Sequence, residues 1–181
     1  MYEVEVKVPA DHDAVRPRLR NQGANQLAAV SQMDTYYDAP DRNFALTDEA
    51  LRIRREIPPD GTAVARLTYK GQLVDPDSKT REEIETMLTD ADEMASILER
   101  LGYDPAATVE KDRERYAYRE LVVTLDDVAG LGEFVEVEIE TETDLDTARE
   151  AAFDVLRDLD LDPADQIRTS YLELHLENER G

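Results

Sequence analysis

Alternation with period two is the dominant pattern along this chain. In Tyr2-Glu3-Val4-Glu5-Val6-Lys7-Val8 the odd positions are charged and the even ones apolar or aromatic, which predicts a strand with two unlike faces. Phe134 to Glu140 repeats the pattern, with Glu136, Glu138 and Glu140 opposite Val135, Val137 and Ile139. Between these two, Leu51 to Ile57 sets Arg52 and Arg54 on one face, Ala63 to Lys70 does so with Arg66, Thr68 and Lys70, and Val109 to Tyr116 with Lys111, Arg113 and Arg115. Leu121, Val123 and Leu125 oppose Val122, Thr124 and Asp126. Lys79, Arg81, Glu83 and Glu85 share a face whose reverse is less apolar, and Gln32 to Tyr37 is rich in strand formers. Asp38-Ala39-Pro40-Asp41, Pro58-Pro59-Asp60-Gly61 and Ala129-Gly130-Leu131-Gly132 predict turns. Phe44 and Leu46 are expected to lead into a strand, and Gly71 to Ser78 to form a mobile loop.

Helical spacing takes over in four places. Asp11 caps a predicted helix reaching about Ala24, with Pro17 as a flaw. Thr89 or Asp90 caps a second, whose Met94, Ile97, Leu98 and Leu101 make one stripe before Gly102. Asp144 or Asp146 starts a third, with Ala148, Ala152, Val155, Leu156 and Leu159 buried and Pro163 beyond its end. Gln166 to about Glu177 predicts a fourth, with Ile167, Tyr171 and Leu174 inward. About eight strands and four helices without a repeated βαβ rhythm favour an α+β fold built on antiparallel hairpins.

Length changes the picture little: 181 residues suit a single domain, 1–181, able to bury its own core. Charge changes it more. The net charge of −22 comes from 43 acidic and 21 basic residues, and only Lys7, Lys70, Lys79 and Lys111 are lysine. Such a surface repels nucleic acid and suits a high-salt cytoplasm, where screening is strong. There is no cysteine, no run long enough to cross a membrane and no secretion-type amino terminus. A cytoplasmic protein without nucleic-acid or membrane partners is expected; a homodimer is compatible with the sequence but not read from it.

Any one charged row reads most simply as the solvated face of a sheet. Taken together the rows say more, because a chain this acidic has concentrated its scarce cations along strand faces. A barrel turned polar side inward would hold a triphosphate and a divalent metal. Hard ions such as Mg2+ or Mn2+ take one or two protein carboxylates plus water and phosphate oxygens, which Glu3, Glu5, Glu136 and Glu138 can supply. Arg52, Arg54, Lys70, Arg81, Lys111 and Arg113 are candidate phosphate clamps. Arg66 and Arg115 serve equally well as outer ion-pair partners, Glu140 and Glu142 as surface groups, and Tyr36, Tyr37 and Tyr171 as packing residues; His12 and His175 receive no role.

Glu3-Val4-Glu5-Val6-Lys7 resembles the ExExK signature of the CYTH family, the triphosphate tunnel metalloenzymes. The resemblance extends in order through Gln32 to Tyr37, Leu51 to Arg54, Tyr69-Lys70, Arg81 to Glu83, Lys111 to Arg113, Leu125-Asp126 and Leu131 to Glu138. Ser170-Tyr171-Leu172 resembles the end of the class IV adenylyl cyclase branch. The resemblance implies an eight-stranded antiparallel β-barrel forming a tunnel, helices packed on its outside, a divalent metal and a nucleotide or polyphosphate substrate. It implies metal ligands at Glu3, Glu5, Glu136 and Glu138, further tunnel acids at Glu83 and Asp126, and phosphate contacts at Lys7, Arg52, Arg54, Lys70, Arg81, Lys111 and Arg113, with Lys7 and Arg113 as catalytic members. Arg81 stands where many relatives carry lysine.

Two reactions share such a clamp. In a cyclase the ribose 3′ hydroxyl attacks the α-phosphorus; in a triphosphatase water attacks the terminal one. Chain length and whole-chain resemblance favour the adenylyl cyclase, with hydrolysis of tripolyphosphate, nucleoside or thiamine triphosphate as the alternative. A binding module without turnover is a third reading, disfavoured because a pure phosphate binder would do better without the carboxylates.

Overall fold

The computed structural model describes residues 2–75 and 77–181. Eight strands close into an antiparallel barrel in the order β1-β5-β4-β3-β2-β6-β7-β8. They are β1 (Tyr2–Pro9), β2 (Asn25–Asp38), β3 (Ala50–Ile57), β4 (Val64–Leu73), β5 (Arg81–Leu88), β6 (Asp104–Tyr118), β7 (Leu121–Val128) and β8 (Gly132–Thr141). The two acidic strands from opposite ends of the chain are neighbours, with Glu5 facing Glu138 and Lys7 facing Glu136 across the β1–β8 ladder. The barrel closes through a short β1–β5 contact at Tyr2 and Glu3.

The helices are α1 (His12–Asn21), α2 (Phe44–Thr47), α3 (Ala91–Arg100), α4 (Leu145–Asp158) and α5 (Tyr171–Arg180). Asp11, Asp90 and Asp144 cap α1, α3 and α4 by accepting from backbone N–H groups of the first turn. Val4, Val6 and Val8 leave the barrel on its outer side and are fully buried, the latter two in one core with Val15 and Leu19 of α1 and Ala152, Val155 and Leu156 of α4. Truncating a leucine such as Leu156 in such a core costs about 2–5 kcal/mol. With the outer face sealed by apolar contact, the charged positions of the same strands have only the interior left.

Several expectations are corrected. Phe44 and Leu46 belong to a one-turn helix, because the Asn43 side chain accepts from Ala45 N–H and Asp48 ends the turn at φ 54°. On α3 only Leu98 is buried, with Ala91, Met94 and Ala95 partly so against Tyr37, Leu51, Ile53, Leu67 and Leu88; Ile97 and Leu101 are exposed. The last helix starts at Tyr171, five residues later than expected. Ile167 N–H donates to Lys7 O at 2.8 Å, extending β1's pairing, and Ser170 with Glu173 forms a reciprocal capping box. The expected loop 71–78 is shorter and tethered: β4 runs to Leu73, Val74 N–H donates to Thr80 O, and the Asp75 carboxylate takes Ser78 Oγ and Arg149. Pro76 lies outside the described residues.

Candidate active site

The barrel encloses a cavity of about 680 Å³. Glu3, Glu5, Lys7, Arg52, Arg54, Lys70, Arg81, Glu83, Lys111, Arg113, Glu136 and Glu138 all line it. Period two therefore assigned each to the correct face. Asp126 is also inside but fully buried behind Arg113, which donates to both its oxygens at 2.6 and 2.5 Å.

The cations are held in two groups. Around β2 and β3, Asp34 accepts from Arg54 at 2.7 Å through both oxygens, and Arg52 Nη1 reaches it at 3.4 Å. Burial pushes the Asp34 carboxyl up, but Arg54, Arg52 and Lys111 outweigh it and hold it below the usual carboxylate range. Around β6 to β8, Asp126 shares Arg113 with Glu136, whose Oε2 accepts from it at 2.8 Å. Lys111 joins the groups: its Nζ stands 4.0 Å from Asp34 and 3.7 Å from Asp126. Burial lowers the Lys111 ammonium from 10.5 to about 7, with Arg113 and Arg54 adding to the shift against the pull of Asp126 and Asp34.

The remaining carboxylates are each matched to a cation. Lys70 lies 2.8 Å from Glu3 and 2.6 Å from Glu83, and these two acids overcome its burial and raise it above the ordinary lysine range. Glu5 has Lys79 at 3.8 Å, and its Oε1 is buried without a hydrogen bond. Glu138 has Arg115 at 3.3 Å, yet burial and the nearby Glu3 and Glu136 push its carboxyl up. Glu136 goes the other way: Arg113, Lys7 and Lys111 overcome burial and hold it low. Among the described residues no three carboxylate or imidazole groups are drawn together as a ready-made metal site. The donor chemistry nonetheless suits a hard divalent ion, because Glu5 keeps a buried oxygen without a hydrogen bond among the described residues and burial beside Glu3 and Glu136 makes ionisation of Glu138 unfavourable, a penalty that a bound cation would relieve.

Five groups outside the predicted metal and phosphate sets are brought into play by the barrel. Asp34 is 1% exposed and anchors three cations; its only signal was its parity with Gln32 and Tyr36. Lys79 lines the cavity and shares parity with Arg81, while Arg66 and Arg115 also line it. Tyr171 lines the cavity as well, with Lys7 Nζ 4.1 Å and Lys111 Nζ 4.8 Å from its ring centroid. Where β2 ends and β3 begins the lining mixes Tyr36, Phe44 and Leu51 with Asp38, Asp48 and Glu49, and Leu172 and Leu176 of α5 also line the cavity; Arg66, Glu85, Arg115 and Glu140 line other parts, with Val122 and Ile139.

A barrel with its charged rows facing a common cavity corresponds to the fold implied by the ExExK resemblance, and the sequence profile of the CYTH domain matches residues 1–171. The chain belongs to the CYTH family. It is 40% identical over 177 residues to a Methanocaldococcus jannaschii protein provisionally named an adenylate cyclase, covering 96% of this chain and 98% of that one. It is 31% identical over 143 residues to the adenylate cyclase CyaB of Aeromonas hydrophila, covering 78% and 70% of the two chains. The PH1819 protein of Pyrococcus horikoshii superposes with a TM-score of 0.88 at 38% identity over 97% of this CYTH chain and 98% of its own. A Hippeastrum protein described as having a dominant triphosphatase activity shares the fold, with a TM-score of 0.63 at 19% identity over 88% of each chain. Among the described residues no helix is long and apolar enough to cross a membrane.

Proposed function

We propose that this CYTH protein is a metal-dependent adenylyl cyclase of the class IV type, converting ATP to cyclic AMP and pyrophosphate inside the barrel. The observation that carries the reading is that the cation and carboxylate rows share one cavity whose wall also includes the aromatic side chains of Tyr36 and Phe44. A volume of about 680 Å³ exceeds what a bare triphosphate requires and falls in the range of sites that engulf whole small molecules. The 40% identity to the M. jannaschii relative over nearly the full length supports the same choice.

Lys7, Arg52, Arg54, Lys70, Arg81, Lys111 and Arg113 grip the triphosphate, the arginines through planar forks and the lysines as compact charges. Glu3, Glu5, Glu136 and Glu138 would hold Mg2+ or Mn2+, which supplies a positive charge against the phosphate oxygens. Glu83 and the buried Asp126 keep Lys70 and Arg113 in place. These acids neutralise the cations, and the substrate's phosphates would take over that role on binding. Tyr36 and Phe44 would stand beside the adenosine. The ribose 3′ hydroxyl then attacks the α-phosphorus, its proton passes to water, and pyrophosphate departs from the cation cluster, where Lys7 and Arg113 stabilise the developing charge.

Hydrolysis of a terminal phosphoryl group by the same clamp is the second reading, favoured by the triphosphatase activity described for the Hippeastrum neighbour of this fold. Purified protein given ATP, and separately tripolyphosphate, with Mg2+ or Mn2+ in high salt separates the outcomes. Cyclic AMP with pyrophosphate establishes the cyclase, orthophosphate the triphosphatase, and no turnover a binding module.

A further inference from the structure

Tyr171 is the first residue of α5 and is 6% exposed, yet it lines the cavity rather than the outer core alone. Its ring packs against Phe134, with centroids 5.2 Å apart, and lies close to the Lys7 and Lys111 ammonium groups. Its hydroxyl is buried and has no hydrogen-bond partner among the described residues. Three other tyrosine hydroxyls are satisfied: Tyr116 donates to Glu114, Tyr118 to Asp158 and Tyr69 to Glu49. Leaving a phenol unpaired carries a free-energy penalty that packing a phenylalanine there would avoid.

We propose that the Tyr171 hydroxyl is a further substrate-binding group, donating a hydrogen bond to a phosphate oxygen held between Lys7 and Lys111. This rests on the reading of the cavity as a triphosphate site and adds to it a contact from the carboxy-terminal helix, outside the barrel strands. A phosphate oxygen only accepts, so toward it the neutral phenol donates. The ring also holds two ammonium groups at 4.1 and 4.8 Å from its centre, on the same side chain that carries the donor.

The test is Tyr171→Phe, which keeps the ring and removes the donor, with Tyr118→Phe as the control for a hydroxyl that has a protein partner. Tripolyphosphate affinity and thermal midpoint are measured for both variants and for the wild type. Tyr171→Phe should bind tripolyphosphate about tenfold or more weakly, the loss of one hydrogen bond to a charged acceptor, while its thermal midpoint stays level or rises. Tyr118→Phe should show the reverse, a lower midpoint with unchanged affinity. Wild-type affinity retained in Tyr171→Phe overturns the inference, as does a lowered midpoint without weaker binding. If the wild type itself fails to bind tripolyphosphate, the reading of the cavity falls instead.

Discussion

Asp34 accepts both arms of the Arg54 guanidinium at 2.7 Å from the position directly across the β2–β3 ladder. Asp126 and Arg113 stand in the same relation across β6 and β7, and Lys111 lies between the two carboxylates. Each arginine is thus fixed from behind by a carboxylate while its free edge lines the cavity.

Asp34→Asn should destabilise the protein by about 3–5 kcal/mol in chemical denaturation, the expected loss when one partner of a buried ion pair is removed. Tripolyphosphate should recover more stability in the variant than in the wild type, since it supplies the missing negative charge. The wild-type pair is also acid-sensitive. Asp34 is lowered from 3.8, so its contribution is complete above that pH and drains away as pH falls below it. Denaturation midpoints across that range should show a smaller acid loss for Asp34→Asn.

Burial, with Arg113 and Arg54 adding to it, lowers Lys111 from 10.5 to about 7. A phosphate chain brings opposite charge and raises it, so binding between those two values takes up a proton. Calorimetric titration of tripolyphosphate at pH 8 in buffers of differing ionisation enthalpy should reveal that uptake, and affinity should decline as pH rises. Lys111→Met should remove the buffer dependence.

Glu136→Gln should abolish turnover while leaving the fold intact by circular dichroism, because it removes a carboxylate of the metal-side set and weakens the grip on Arg113 at 2.8 Å. Near wild-type rates would remove Glu136 from the metal assignment. Arg54→Ala should chiefly raise KM, and an unchanged KM and rate would exclude it from the clamp.

Lys79 reaches the cavity from a loop that Asp75 holds down through Arg149 Nη1 at 2.8 Å and Ser78 Oγ at 2.9 Å, while Arg168 donates to the Asp75 carbonyl. Arg149→Ala lies outside the cavity yet should weaken tripolyphosphate binding several-fold, with a stability loss of about 1–3 kcal/mol. Faster hydrogen exchange confined to residues 77–80 would locate the effect; unaltered affinity would show that the clasp is purely structural.

Which side of each strand is charged could be read from the chain alone, because period two is a property of the extended backbone and needs no partner strand. The rows of Glu3, Glu5 and Lys7, of Arg52 and Arg54, and of Glu136 and Glu138 were legible for that reason, as were the caps at Asp11 and Asp90. The apolar reverse faces required a covering layer, which left the charged rows to the interior. What the tertiary structure alone decided is which groups meet. Asp34 was an unremarked polar residue until the β2–β3 register set it against Arg54, and Tyr171 was a packing residue until Ile167 paired with β1 and delayed the helix that carries it. Register and barrel closure depend on contacts between residues far apart in the chain, and no local period encodes them.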